Sequence, residues 1–241
     1  MLFRSLLEAY SRPRQNGVIA ITLREDDEVI SVRMTNGTKD VLLANRNGRA
    51  IRFKEENVRP MGRTASGVIG MRLDGPDDEV IGMITMDPAS EDTILVVSEK
   101  GYGKRTRLND DDGEPVYRIT NRGGKGVRTL NVTDKTGKLV SIKSVSDNND
   151  LMIINKSGIT IRLNISDIRT MGRATQGVRL INLDKRNDEI ASVCKVNSQE
   201  DEDEENGMSI EDLNLEDSDL ILENFDEENN SELENENEAE D

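Results

Sequence analysis

An internal repeat is the feature that most constrains the fold of this chain. Residues 51–73 (IRFKEENVRPMGRTASGVIGMRL) return as residues 161–183 (IRLNISDIRTMGRATQGVRLINL), with nine of 23 positions identical, among them the Arg and Met-Gly-Arg positions and the Gly-Val pair. A Gly-Val pair marks four copies, at Gly17, Gly67, Gly126 and Gly177, with spacings of 50, 59 and 51 residues. A period of this size is typical of blade or array architectures, in which units must stack because none can bury its apolar face alone.

Each copy has the pattern of four short strands. In the first copy, two alternating, β-branched stretches (18–23 and 28–34) precede a third stretch (40–45), a tight glycine turn and a fourth stretch (49–53). The turn glycines are Gly48, Gly101 and Gly158, which suit tight hairpins. No long segment has helical periodicity. We therefore predict an all-β fold of propeller-like blades, each with four antiparallel strands.

The copies at both ends are incomplete. Residues 1–15 are interpreted as the end of a truncated preceding blade, and the copy that begins at Gly177 supplies two strands. We predict a folded domain of about four repeats over residues 16–197. Because blade closure normally needs every strand edge to be paired or covered, the pattern indicates part of a larger ring, or a ring with an open edge.

Charge divides the chain into a basic part and an acidic tail. Residues 198–241 hold 21 of the 48 acidic residues and no Lys or Arg, so the net charge of −16 conceals a value near +5 for residues 1–197. A segment with charge of one sign and few aromatic residues is typical of disorder, and we predict a disordered acidic tail at 198–241.

Composition also argues against several chemistries. One cysteine, Cys194, and no histidine leave no internal disulfide, zinc site or Cys-His nucleophile to expect. The acidic run at 110–113 lacks carboxylates at the first and last positions of a calcium loop. No apolar run reaches the length of a membrane span, and the N-terminus lacks a signal-peptide pattern. We expect a cytoplasmic protein without metal, cofactor or membrane association.

Arginines recur in register with the repeat. One set lies four residues after the turn glycine, and two further sets lie eight and four residues before the Gly-Val glycine. These sets are Arg52, Arg105 and Arg162; Arg59, Arg118 and Arg169; and Arg63, Arg122 and Arg173. Since arginine binds phosphate bidentately and keeps its charge, this periodic stripe favours a polyanion, and double-stranded nucleic acid is the predicted partner. The alternative is that these charges simply face water on exposed strand edges.

A basic glycine-rich loop, residues 122–126 (RGGKG), adds Lys125 to the candidates. It lacks the spacing of a P-loop, but consecutive glycines allow a close approach of backbone to phosphate. Aromatic residues make up 2% of the chain, which argues against stacking platforms for single strands. Tyr10, Tyr102 and Tyr117 have no repeated acid or base around them, so we predict no catalytic residue.

Several motifs occur in the order of a known family. Residues 47–52 (NGRAIR), 58–63 (VRPMGR), 100–106 (KGYGKRT) and 168–173 (IRTMGR) closely resemble the C-terminal domain of the A subunit of bacterial DNA gyrase, over about residues 8–196. The resemblance implies a six-bladed β-pinwheel that binds and bends double-stranded DNA, with this chain holding the last four blades. It also implies no catalysis by this part alone. The implied partners are the rest of the A subunit, together with the B subunit, in a nucleoid-associated heterotetramer.

The family's wrapping motif is matched only in part. Residues 122–126 correspond to its last five residues, but they lie in a later blade and follow Thr120-Asn121 instead of Gln-Arg. The predicted DNA-binding residues are the nine arginines above with Lys104 and Lys125. Two alternatives stay open: the matching domain of topoisomerase IV, where the blades select DNA crossovers rather than wrap DNA, and a propeller-like scaffold for protein interactions.

Overall fold

The computed structural model describes residues 1–183 and 188–197, and the predicted acidic tail lies outside them. The described residues form eleven strands and three short 3₁₀ turns, at Leu7–Tyr10, Glu55–Asn57 and Ile165–Asp167. The strands are β1 (Asp40–Asn45), β2 (Arg49–Lys54), β3 (Val80–Met86), β4 (Thr93–Ser98), β5 (Tyr102–Arg107), β6 (Val127–Arg128), β7 (Leu139–Val145), β8 (Asn149–Asn155), β9 (Thr160–Asn164), β10 (Val178–Arg179) and β11 (Ile190–Asn197). The all-β prediction is confirmed. None of the helical turns in the described part is long and apolar enough to cross a bilayer.

The strands form three sheets, each built on a hairpin. Their orders are β3-β1-β2-β6, β10-β5-β4-β7 and β11-β8-β9. The hairpins β1-β2, β4-β5 and β8-β9 are the third and fourth stretches of successive copies, and every strand pairing is antiparallel. Blades of antiparallel strands are therefore present, two with four strands and one with three.

Sequence repeat and sheet do not coincide, and the expectation that one copy makes one blade is wrong. In the first sheet, the hairpin comes from the copy at Gly17, β3 comes from the copy at Gly67, and β6 comes from the copy at Gly126. The second sheet follows the same rule one copy later. Each four-stranded sheet thus joins three consecutive copies through backbone hydrogen bonds, which closes hairpin edges that would otherwise stay unpaired.

This interlocking explains the Gly-Val signature. Gly126 has a φ of 71°, and a Cβ atom at this position would overlap the carbonyl oxygen of Ala50 in β2. Gly177 repeats the arrangement against Gly103, with its ideal Cβ 2.5 Å from the carbonyl oxygen. Glycine is needed because another backbone approaches closely and the left-handed conformation excludes most side chains. The valine that follows begins the two-residue strand β6 or β10.

The first copy differs from the others. Residues 18–23 and 28–34, predicted as strands, are not strands in the structure, and their side chains, such as Ile19 and Met34, are largely exposed. The pairing rule assigns these stretches to hairpins of copies that would precede the one at Gly17, and no strand among residues 1–183 and 188–197 pairs with them. Without a partner edge, alternation alone does not make a strand.

The cores lie between the sheets because the central strands are buried on both faces. Ile94 and Val96 of β4 pack with Leu42 and Ala44 of β1 in one apolar cluster. Leu95 and Val97 of β4 pack with Leu151 and Ile153 of β8 in the next cluster. Alternate residues of one strand thus face two neighbouring sheets, which explains its nearly continuous apolar sequence.

The hairpin glycines provide a matched test of the interlocking. Gly48 (φ 78°) lies against the crossing backbone, and its ideal Cβ would be 2.7 Å from the Leu130 carbonyl oxygen. Gly158 (φ 84°) has open space around it, because the third sheet lacks a fourth strand among the described residues. We expect Gly48→Ala to reduce the free energy of unfolding by about 1–3 kcal/mol more than Gly158→Ala. Both variants place alanine at a positive φ, but only Gly48→Ala also introduces a steric overlap. Urea unfolding measures the difference, and equal losses would contradict the close crossing.

Candidate functional site

Three junctions connect the end of one copy to the Gly-Val pair of the next. Junctions 1, 2 and 3 are residues 58–67, 117–126 and 168–177. Each begins with a buried side chain, Val58, Tyr117 or Ile168. This buried anchor side chain fixes the start of the junction. The second and sixth positions of each junction are arginines.

The junctions are held by the same backbone contact. Each runs beside the fourth strand of the preceding copy or its N-terminal equivalent, where a carbonyl accepts the N–H of the fourth junction residue. The pairs are Met61 N to Arg4 O (2.8 Å), Thr120 N to Arg52 O (2.9 Å) and Met171 N to Arg105 O (2.8 Å). The backbone of each junction is therefore held in the same way. The arginines that repeat in the sequence consequently lie at equivalent positions of the structure.

The strand arginines, Arg52, Arg105 and Arg162, take no common exposed position. Arg52 is 3% exposed, and its Nε and Nη2 lie 2.8 and 2.7 Å from Asp40 Oδ2. Arg105 is 7% exposed, donates from Nε to the Ile168 carbonyl oxygen at 2.7 Å and pairs with Asp147. Both guanidinium groups are therefore used inside the protein, and direct DNA binding by these two arginines stays a prediction that their burial does not favour.

Arg162 has the same kind of partner as Arg52 but a different environment. Its Nη2 lies 2.6 Å from Asp150 Oδ2, and its side chain is 43% exposed, on the strand that no fourth strand covers among the described residues. The sequence does not distinguish this arginine from Arg52, because the difference comes from which copy covers the hairpin.

Lys104 is also interior. The side chain is 0% exposed, and Nζ donates to the carbonyl oxygens of Gly172, at 2.6 Å, and Arg173. The sequence predicts that Lys104 contacts DNA directly, and this stays a prediction that the complete burial of the side chain does not favour.

The inner arginines, Arg63, Arg122 and Arg173, are half-buried and link each junction to a neighbouring segment. Arg122 donates from Nε to Asn57 O at 3.0 Å and from Nη1 to Ile69 O at 3.1 Å. Arg173 donates from Nη1 to Arg128 O at 2.6 Å, and Arg63 donates to Ile19 O at 3.4 Å. A guanidinium group has five N–H donors, so these contacts leave donors for an anion while fixing the side chain.

The outer arginines, Arg59, Arg118 and Arg169, are exposed, and their side chains have no hydrogen-bond or ion-pair partner among residues 1–183 and 188–197. Each follows a buried anchor directly, so the backbone is fixed while the guanidinium group stays available. Three equivalent available guanidinium groups form the strongest candidate anion site. An open depression of about 500 Å³, lined by Arg59, Gly62, Thr64 and Ser66 among others, lies along junction 1 and offers hydroxyl groups beside the arginine.

Lys125 and its loop have local partners. Nζ of Lys125 lies 2.6 Å from Asp74 Oδ1, while Asp74 Oδ2 lies 3.2 Å from Arg49. The hydrogen bond from Lys125 lowers the pKa of the Asp74 carboxyl. The backbone of the glycine-rich loop also pairs with the preceding segment, through Gly123 N to Gly70 O at 2.6 Å. The loop is thus held by protein contacts, and Lys125 itself stays more than half exposed.

Two exposed arginines were missed by the sequence prediction. Arg128 and Arg179 follow the Gly-Val pair in the last two copies and end strands β6 and β10. Arg128 contacts Asn131 Oδ1 at 3.3 Å, and Arg179 donates to the Tyr102 hydroxyl at 2.9 Å. The sequence contains a signal that could have identified them: both arginines directly follow a Gly-Val pair. The first two copies have isoleucine at this position.

The blades and junctions define the class of protein. Residues 1–36, 39–85, 92–146 and 149–197 match the family described as DNA gyrase C-terminal domain, beta-propeller. The chain belongs to this family, and the resemblance drawn from the junction motifs is confirmed.

Individual relatives narrow the comparison. The chain is 48% identical over 203 residues to the A subunit of DNA gyrase from Staphylococcus aureus strain MRSA252 and 46% identical to that of strain NCTC 8325 / PS 47, covering 84% of this chain and 22% of each relative. Among solved structures, a DNA gyrase A C-terminal domain has a TM-score of 0.64 at 26% identity, covering 75% of this chain and 58% of its own. The C-terminal domain of DNA topoisomerase IV has a TM-score of 0.71 at 23% identity, covering 80% and 57%. At this identity the last match shows the fold alone, whereas the much higher identities belong to gyrase A subunits.

The buried ion pair gives a second matched test. Removing one partner of a buried pair leaves an uncompensated charge, so we expect Arg52→Ala to lower the free energy of unfolding by about 3–5 kcal/mol. Arg162→Ala removes the half-exposed partner of a buried carboxylate, Asp150, and should cost less because water reaches the arginine side of this pair. Urea unfolding of both variants checks this order, and a small loss in Arg52→Ala would mean that its guanidinium group is not buried with Asp40.

Proposed function

We propose that this chain is a double-stranded DNA binding and bending module of a gyrase A subunit. The observation that carries the proposal is the set of outer arginines, which repeat at equivalent junction positions and have no side-chain partner in the described part of the chain. Family membership and the gyrase A relatives support the choice of gyrase over topoisomerase IV.

The proposed mechanism is phosphate binding by positioned guanidinium groups. Each outer arginine offers a bidentate, permanently charged donor set on a fixed backbone, so little ordering is needed when it meets a phosphate. Contacts of this type release counterions and carry no sequence information, so binding should be salt-dependent and sequence-independent. Repeated contacts on successive copies would offset the elastic cost of bending, which is on the order of a few kcal/mol for a short duplex.

The inner arginines have a different proposed role. They fix each junction against a neighbouring segment and can share remaining donors with the same phosphate. A variant that removes them would change both the loop and the charge. The outer arginines are therefore the better targets for a binding test.

We also propose that this chain alone does not cleave DNA. Tyr117 is buried, its hydroxyl lies 2.7 Å from Thr129 Oγ1, and burial raises its pKa, all of which oppose a nucleophilic role. The hydroxyl of Tyr102 accepts from Arg179, and that of Tyr10 lies 2.7 Å from Ser5 Oγ. A covalent DNA adduct on any of these tyrosines after denaturant quenching would refute the assignment.

The proposed setting is the cytoplasm at the nucleoid, and the proposed partners are the B subunit with the remainder of the A subunit. The chain spans 22% of its curated relatives, so these associations belong to the longer protein. Failure of a full-length A subunit containing this chain to co-purify with the B subunit would argue against this assembly.

The direct test is the triple variant Arg59→Ala, Arg118→Ala and Arg169→Ala. Loss of three phosphate contacts should weaken binding to duplexes of any sequence and reduce the slope of log affinity against log salt by roughly 2.7. Fluorescence anisotropy with random-sequence duplex at several salt concentrations gives the slope.

A matched control removes three exposed cations outside the junctions: Arg24→Ala, Lys54→Ala and Lys195→Ala. We expect this control to keep nearly the original slope. An unchanged slope in the folded outer-arginine variant would place these side chains off the DNA path. Absence of salt-dependent duplex binding in the unmodified chain would instead favour a protein-interaction scaffold.

A further inference from the structure

Lys104 occupies a position that is apolar in the other copies. Lys104 lies three residues after its turn glycine, as Ile51 and Ile161 do. The residue before Lys104, Ile51 or Phe3 pairs with the valine of a Gly-Val pair, which makes Phe3 equivalent as well. Burying an ammonium group is costly unless it is hydrogen-bonded, and an apolar side chain at this place satisfies the fold elsewhere in the same chain. The lysine therefore needs an explanation other than packing.

The contacts of Lys104 all lead to junction 3. Its ammonium group donates to the carbonyl oxygens of Gly172 and Arg173. The next two residues of β5 reach the same junction, since Arg105 Nε donates to Ile168 O at 2.7 Å and Thr106 Oγ1 donates to Met171 O at 3.1 Å. Three consecutive side chains thus hold the carbonyl groups of one junction.

The carbonyl groups of junctions 1 and 2 are held by other donors, among them Thr22 Oγ1 to Thr64 O at 2.8 Å in junction 1 and Arg72 N to Gly124 O at 2.9 Å in junction 2. At junction 1, Arg4 donates to Val58 O at 3.1 Å, which repeats the contact of Arg105. At junction 2, Thr120 Oγ1 donates back to Arg52 O at 3.4 Å. At junction 3, Lys104 is such a donor.

We propose that Lys104 is a positioning residue for junction 3, whose buried ammonium group binds the Gly172 and Arg173 carbonyls and so holds Arg169 and Arg173 in the loop conformation that binds a DNA phosphate. This inference rests on the proposed DNA binding and adds a residue that does not touch DNA. Without the ammonium group, two carbonyl groups lose their donor, and the junction is free to turn them toward the phosphate, which they repel.

The charge of Lys104 makes this arrangement depend on pH. Burial, with a smaller contribution from Arg173, lowers the pKa of Lys104 to about 8. The nearby charged groups are Arg105 and Arg107 on β5, Arg169 and Arg173 on junction 3, Arg179 on β10, and Asp147, which pairs with Arg105, whereas β4 has none. The buried Tyr117 nearby has a raised pKa and stays neutral. Lysine is thus the group in this set that titrates near pH 8, since arginine keeps its charge.

The direction of the effect follows from linkage. A DNA phosphate close to the junction stabilises the protonated form of Lys104, so its pKa is higher in the complex than in the free protein. The affinity for DNA should be greatest below pH 8 and should fall as the pH rises above it, because binding then requires uptake of a proton. The steepest possible fall for one proton is about tenfold per pH unit.

The experiment compares the full 241-residue chain with its Lys104→Met and Lys104→Arg variants and with Ile161→Met, a matched control at the equivalent position of the next hairpin. Anisotropy with a random-sequence duplex at constant ionic strength is measured from pH 7 to about 9.5. The unmodified chain and Ile161→Met should lose affinity above pH 8. Lys104→Met should bind roughly tenfold more weakly at pH 7 with no pH dependence, and Lys104→Arg should bind well throughout.

The outcomes separate the two proposals. If the unmodified chain does not bind duplex at low salt, the DNA-binding function itself fails. If it binds, and Lys104→Met follows the same pH profile as the unmodified chain, the positioning role of Lys104 is wrong whatever the variant's affinity. Circular dichroism checks folding, and if Lys104→Met does not fold, a pH-dependent Lys104→Arg variant overturns the proposal equally.

Discussion

Backbone pairing between non-adjacent copies is the interaction on which the structure depends. The edge of β2 is closed by β6, which belongs to the copy two units later, and the edge of β5 is closed in the same way by β10. Such a crossing requires close contact of two backbones, so Gly126 and Gly177 lie where a Cβ atom would collide with a carbonyl oxygen. The junctions are then fixed at both ends, by a buried anchor at the start and by this glycine at the end.

Because the junctions are fixed, arginines at different positions of one repeat have different functions. A strand arginine such as Arg52 neutralises a buried carboxylate, an inner arginine such as Arg122 links two loops, and an outer arginine such as Arg118 keeps its donors available. All three belong to repeating sets, and their burial decides between structure and binding. Periodic charge is therefore a sign of equivalent backbone positions and a weaker sign of a shared ligand.

Much of the fold could be predicted because the repeat and its hairpin turns report local structure. The β1-β2, β4-β5 and β8-β9 hairpins lie where turn glycines and alternation indicated. The pairing between copies could not be predicted, since equivalent sequences do not say which copy covers which edge, and residues 18–23 lack the edge they need. Likewise, the burial of Lys104 depends on carbonyl groups 68 and 69 residues away in sequence, and its motif gave no sign of them.

Arginine-specific modification by phenylglyoxal, read by mass spectrometry with and without duplex DNA, tests the central claim that arginines in one period divide into interior and DNA-facing groups. The account predicts that Arg59, Arg118 and Arg169 react in the free protein and are protected by DNA, while Arg52 and Arg105 are unreactive in both states. Outer arginines that stay equally reactive in the complex, or a readily modified Arg52 in the folded free protein, would contradict it.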